Sequence, residues 1–258
     1  MATLPLHHII HGDDGDWIML LHGLFGSGDN LNTLAKSLAE HNRVVLVDLR
    51  NHGRSPHSEV MTLALMADDI ARLQDHLAIE SSVVLGHSLG GKVAMQLALS
   101  DAARVSKLIV ADIAPVAYAA HHDTVFAALA SLDLDTLQSR QQADTELAKT
   151  LTETGLRQFL LKGLYRDGEH YRWRFNLSAL RERYDAVLAA PQGEPFAGPT
   201  LFIKGELSNY IGAEHEVEMR RLFPSFEFRM IAGAGHWLHG EKPTAFNRLV
   251  RQFIEGDL

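Results

Sequence analysis

Apolar, β-branched residues gather in six short runs along the chain: WIMLL (17–21), VVLVD (44–48), SVVLG (82–86), KLIVAD (107–112), TLFIK (200–204) and FEFRMI (226–231). Runs that are apolar at successive positions bury both faces, which is the habit of parallel strands covered by helices. Between them, LNTLAKSLAEH (31–41), LALMADDIARLQDHL (63–77) and KVAMQLALS (92–100) carry apolar residues at helical spacing. Strand and helix in alternation predict an α/β fold with a mostly parallel central sheet flanked by helices. The opening LHHIIHG adds an edge strand.

The alternation stops after Asp112. Residues 113–198 read as mostly helical, with VFAALASL, ADTELAKTLTE and LRQFLLKGLY in succession. A hairpin follows, turning at Asp167-Gly168 with YRWRF as its second arm. One more helix, near 177–190, leads into the Pro- and Gly-rich PQGEPFAGP. The division expected is a core of 1–112 and 199–258 with a helical lid inserted at 113–198. A lid there would cover the carboxyl ends of the strands, where such sheets bind ligands.

Composition narrows the field. The chain has 258 residues, 46% hydrophobic and 22% charged, which suits one packed domain. A net charge of −8 disfavours nucleic acid and anionic membrane as partners. There is no cysteine, so disulfides and thiolate metal sites are excluded. The N-terminal MATLPLHHIIHGDDGDW has neither the basic start nor the apolar core of a signal peptide. Apolar runs reach only about five residues, far short of a membrane span. A cytoplasmic protein is expected.

The chemistry concentrates in VVLGHSLGGKVAMQLA, where a strand runs through Gly86-His87-Ser88-Leu89-Gly90 into a helix. This G-x-S-x-G in strand–turn–helix context lifts the Ser88 hydroxyl out at a helix N-terminus. A serine nucleophile needs a base. MIAGAGHWLHGEKP offers His236 just past the last strand; His239 is its rival but leads into a helix start. An oxyanion hole needs two backbone N–H groups. Leu89 supplies one, and Leu24, in the HGLFGSGDN loop after the first long strand, is the expected second.

HGLFGSGDN, VDLRNHGRSP, GHSLGG and GAGHWLHGEKP, in this order and spacing, resemble the α/β-hydrolase superfamily, and among it the small bacterial esterases of the YbfF type. ADIAPV and WRFN extend the resemblance along most of the chain. The superfamily usually carries its acid after the strand read here as TLFIKG, where this chain presents Glu206, Asn209 and Tyr210. An amide at Asn209 could hold an imidazole but not stabilise an imidazolium; in serine proteases an Asp-to-Asn exchange costs about 10⁴ in kcat. The resemblance implies a displaced acid at Asp112, at the end of KLIVAD, with Asn209 a secondary hydrogen-bonding neighbour. Glu206, and no acid at all, stay open as alternatives.

The resemblance implies a serine carboxylesterase or thioesterase acting on small esters or acyl-CoA thioesters, without metal or cofactor. Carbon–carbon bond hydrolysis and perhydrolysis use the same triad. A slow-turnover small-molecule receptor is the reading from outside enzymology. Phe25, Trp173, Tyr210 and Trp237 are the candidate pocket walls. Several other features are read as structural: Arg50 and Asp48 as loop builders, Asp68-Asp69 as a solvated helix face, and Arg172 and Arg174 as surface charges. His7, His8 and His11 are read as unable to share a metal, because His7 and His8 point to opposite faces.

Overall fold

A computed structural model describes residues 4–257. Seven strands form one sheet: β1 (His8–His11), β2 (Asp16–Leu21), β3 (Asn42–Val47), β4 (Ser82–His87), β5 (Val105–Ala111) and, after a long excursion, two more. The excursion carries its own antiparallel hairpin, β6 (Leu164–Asp167) and β7 (His170–Trp173). The sheet is then completed by β8 (Thr200–Gly205) and β9 (Phe226–Ile231), giving the order β1-β3-β2-β4-β5-β8-β9. Only the edge strand β1 is antiparallel to its neighbour. The central strands hold the buried β-branched residues that the sequence pattern singles out.

Helices α1 (Asn32–Leu38), α2 (Leu63–His76) and α3 (Leu89–Ser100) follow β2, β3 and β4. One sheet face packs on α2 and α3 through residues such as Val84, Val110, Ile70 and Val93. The other packs on α1 and the C-terminal helix, where Ile109 and Leu201 meet Phe246 and Val250. Both faces are dry, so strand register is fixed by packing as well as by the ladder. Leu21 pairs with Val47 and Gly86, and Ala111 with His87 and Ile203, so the strand ends stand level along one upper rim.

Between β5 and β8 lie α4 (Asp123–Ala130), α5 (Arg140–Leu147), α6 (Thr154–Lys162), the hairpin, α7 (Leu177–Glu182) and α8 (Tyr184–Leu188). The single helix expected near 177–190 is thus broken at Arg183, which sits at φ −106° and ψ 16° between two short helices. After β8 come α9 (Glu216–Leu222), α10 (Leu238–Glu241) and α11 (Pro243–Glu255). Among the described residues, no helix is long and apolar enough to cross a membrane.

One polar expectation fails. Asp69 is buried, not solvated: its carboxylate accepts from Arg50 Nε at 2.6 Å and Nη2 at 2.8 Å. Arg50 also donates to the Val60 carbonyl at 2.7 Å. The loop-building role read for Arg50 holds, and helix α2 supplies its counterion. Asp48 builds the same loop by accepting from the Gly28 and Arg54 amides at 2.7 and 2.9 Å.

Candidate active site

Ser88 caps the N-terminus of α3 at φ 54° and ψ −117°, a conformation that L side chains rarely adopt. Its amide continues the sheet by donating to Ala111 O at 3.0 Å. The turn is this sharp because glycines let chains approach. A Cβ on Gly86 would lie 2.1 Å from Gly90 O, and one on Gly90 would lie 2.3 Å from Leu21 O. The hydroxyl therefore stands clear at the positive end of a helix.

Asp112 occupies the adjacent strand end. Its amide donates to Ile203 O at 2.8 Å, and φ is 54°. The carboxylate is fully buried. Oδ1 accepts from the Gly205 amide at 3.0 Å, and Oδ2 accepts from the Ser208 hydroxyl. Oδ2 also accepts from His236 Nδ1 at 2.7 Å. A carboxylate has no proton to give, so Nδ1 carries the hydrogen and Nε2 presents its lone pair. Ser88 and His236 line one cavity of about 40 Å³ together with Gly23, Leu24, Phe25, Leu156, Phe159 and Trp237.

The rival acid and base are accounted for by their contacts. Glu206 accepts from the Gly233 amide at 2.7 Å, bracing the loop that carries His236. His239 does not reach Asp112; it lies against His87, with ring centroids 4.5 Å apart, and burial lowers its pKa to about 4. Asn209 is corrected. It is exposed on the wall of an outer groove and makes no hydrogen bond among the described residues. The neighbour that bonds the acid is Ser208, one residue earlier, because the turn Gly205–Ser208 (amide to carbonyl 3.0 Å) aims that hydroxyl inward.

The loop after β2 closes a turn in which the Gly26 amide donates to Gly23 O at 3.0 Å, with Phe25 at φ 62°. His22 anchors it. Its Nε2 accepts from the Leu49 amide at 3.0 Å, so Nδ1–H donates to Gly23 O at 2.8 Å. Burial lowers the His22 pKa and keeps this tautomer neutral. Among the described residues, the Leu24 and Leu89 amides have no acceptor, and both residues line a second cavity of about 40 Å³ at Ser88. Two free donors beside a serine oxygen can hold a developing oxyanion.

Of the expected pocket walls, Phe25, Tyr210 and Trp237 line the cavities. Tyr210 stacks on the His236 ring at 4.1 Å and 23°. Its hydroxyl bonds His121 Nε2 at 2.7 Å, and burial raises its pKa to about 12, so it stays a phenol. Trp173 is corrected: it lines neither cavity but stacks on Phe175 within the insertion, with centroids 5.0 Å apart. Arg172 pairs with exposed Asp135 at 2.7 Å, as a surface charge would. Lys92, four residues after Ser88, lies outside the G-x-S-x-G motif. Buried, it donates to Val116, Leu188 and Ala189 carbonyls at 2.9, 2.6 and 2.7 Å, tying α3 to both ends of the insertion. A lone lysine in an apolar helix was the available signal. Outside the two small cavities, a groove of about 930 Å³ runs from His236 past Tyr118, Gln158, Lys162 and Glu241.

Known proteins share the family and the fold. A family profile described as the alpha/beta hydrolase fold matches residues 16–243. The chain is 40% identical to the sn-1-specific diacylglycerol lipase ABHD11 of Mus musculus, over 98% of this chain and 86% of that one. It is 40% identical to the esterase YbfF of Escherichia coli K12, over 92% of each. A solved structure described as a marine microorganism esterase superposes with a TM-score of 0.95 at 37% identity, covering 97% of this chain and all of the other.

Proposed function

The chain belongs to the α/β-hydrolase family, and from that premise we propose that it is a serine carboxylic ester hydrolase with Ser88 as nucleophile, His236 as general base and Asp112 as acid. The observation that carries this reading is the 2.7 Å bond from His236 Nδ1 to buried Asp112, which leaves Nε2 as the proton acceptor in the cavity that Ser88 faces. Ser88 Oγ attacks the ester carbonyl and its proton passes to His236 Nε2. The negative oxygen is received by the Leu24 and Leu89 amides. The imidazolium, opposite a carboxylate, then protonates the leaving alcohol or thiol, and the acyl group remains on Ser88. Water, deprotonated by the same histidine, releases the acid.

The substrate reading follows from space. The cavities touching Ser88 are about 40 Å³ each, whereas the groove beyond His236 is about 930 Å³. A short acyl group and a much larger leaving group fit that asymmetry, and acyl-CoA thioesters are one class of this kind. The insertion, residues 113–198, acts as the lid that closes over both cavities. A first test is hydrolysis of p-nitrophenyl butyrate by wild type and Ser88→Ala. Wild type is expected to turn over, and Ser88→Ala to lose at least about 10³-fold in kcat, by analogy with other serine hydrolases. A fluorophosphonate should add covalently to the wild type alone. An initial burst without steady turnover would instead point to a slow receptor. An inactive but phosphonylated wild type would favour carbon–carbon hydrolysis.

A further inference from the structure

The base is carried by a short glycine-containing loop. Residues 232–237 join β9 to α10 and contain Gly233, at φ 63°, and Gly235. Three carboxylate contacts hold its flanks: Glu206 to the Gly233 amide, and Glu241 to the Gly235 and Trp237 amides at 2.7 and 3.3 Å. Among the described residues, the His236 peptide makes a single hydrogen bond. Its carbonyl accepts from His87 Nε2 at 2.8 Å. His87 is the last residue of β4 and directly precedes Ser88.

Resting on the hydrolase reading above, we propose that His87 is a positioning residue for the general base, bolting the His236 main chain to the strand that presents the nucleophile. Asp112 orients the His236 ring from β5; His87 fixes the peptide from which that ring hangs. The base is thereby located against two neighbouring strands, one of which carries Ser88. A carbonyl only accepts, so His87 holds its hydrogen on Nε2 and leaves Nδ1 bare, 3.0 Å from where a Cβ on Gly23 would sit. That close approach leaves little room for a side chain at 23. Burial, and then the neighbouring His239 and His236, push the His87 pKa well below its usual value. Neutrality suits the role: a charged ring 4.8 Å from His236 would oppose the imidazolium of the reaction.

The test removes the donor and keeps the volume. His87→Phe is expected to lower kcat for p-nitrophenyl butyrate by roughly 10- to 100-fold with KM changed less than about threefold, as a displaced catalytic group does. His87→Gln, whose amide N–H stands where Nε2 stood, should recover most of that loss. The Nδ1–H proton of His236, shared with Asp112, gives a low-field NMR signal that needs no substrate. It should shift or broaden in His87→Phe and return in His87→Gln. His87→Met replaces His87→Phe if the phenyl ring is not accommodated. An unshifted signal with kcat within twofold in the donor-free variant overturns the proposal. If the wild type proves inactive, or Ser88→Ala retains turnover, the hydrolase reading fails, while the NMR signal still decides whether His87 holds His236.

Discussion

At the rim of the sheet, Phe25, Ser88 and Asp112 sit at positive φ (62°, 54° and 54°), whereas among the described residues of the insertion no non-glycine residue does. The rim is strained backbone held by a dense hydrogen-bonded frame. The insertion is relaxed backbone tied to the core by polar contacts that include Lys92 to three carbonyls, the Tyr118 hydroxyl to Tyr210 O, His121 to the Tyr210 hydroxyl, and the Asn176 amide to Asn51 O. Strained residues persist only where surroundings over-determine them, and they gather where chemistry needs a fixed geometry. This contrast fits the proposed reading, in which chemistry belongs to the rim and enclosure to the insertion.

The sharpest way to break that assignment is to exchange the acid. Asp112→Asn is expected to lower kcat by about 10³- to 10⁴-fold, since an amide neither stabilises the imidazolium nor imposes the right tautomer. Asn209→Ala, on the groove wall, should stay within about twofold. Ser208→Ala should fall between them, near tenfold, because it removes one of the two protein donors besides His236 that hold the carboxylate. Steady-state kinetics on p-nitrophenyl butyrate, with folding checked by circular dichroism, decides the order. An Asn209 variant as damaged as the Asp112 variant would move the acid site back to the β8 loop.

What could be read from the sequence divides along the same line. The nucleophile turn is legible because backbone geometry there demands glycines at 86 and 90, where chains touch; Asp112 follows only from the resemblance, and the level register that brings it beside Ser88 appears in the fold alone. Ser208 rather than Asn209 faces the acid because a turn, not strand parity, decides which side chain points inward. The hairpin pattern around Trp173 does not say which layer its buried face meets. Helical spacing around Asp69 cannot reveal an arginine arriving from another loop. His87 stood inside the most legible motif, yet its partner lies 149 residues away.

The tether between the two regions gives a smaller effect. Lys92→Met takes a donor from three part-buried carbonyls, of which Leu188 O keeps the Tyr118 amide at 3.0 Å; each one left unpaired costs about 1 kcal/mol, partly offset by no longer burying an ammonium. A net loss of about 1 kcal/mol in urea unfolding is expected, with faster proteolysis of the insertion than of the core. Burial lowers the Lys92 pKa from 10.5 to about 7. Between those values the unfolded chain binds a proton that the folded one lacks, so this lysine's contribution to stability rises with pH. The gap between wild type and Lys92→Met should therefore widen from pH 7 to pH 9, by at most about 1.4 kcal/mol per unit. A gap that stays constant over that range would mean the ammonium stays charged on its three carbonyls.

The smallest expected effect isolates strain at the rim. Ser88 holds φ 54° and ψ −117°, which costs an L residue roughly 1–3 kcal/mol and glycine very little. Ser88→Gly relieves that strain but gives back roughly 0.5–1 kcal/mol through the greater freedom of the unfolded chain. The net is a gain of about 1 kcal/mol, or a rise of roughly 2–4 °C in Tm for a chain of this size. Ser88→Ala keeps the Cβ and the strain, so its Tm should match wild type within about a degree, on the same scale. Both variants lack the nucleophile, so lost turnover cannot separate them and calorimetry must. A Ser88→Gly protein that melts above Ser88→Ala shows stability given up at the nucleophile for geometry. Equal melting of the two would mean that the frame around Ser88, rather than its own backbone, carries the strain, and the contrast with the relaxed insertion would rest on the other positive-φ residues, Phe25, Asn51 and Asp112 among them.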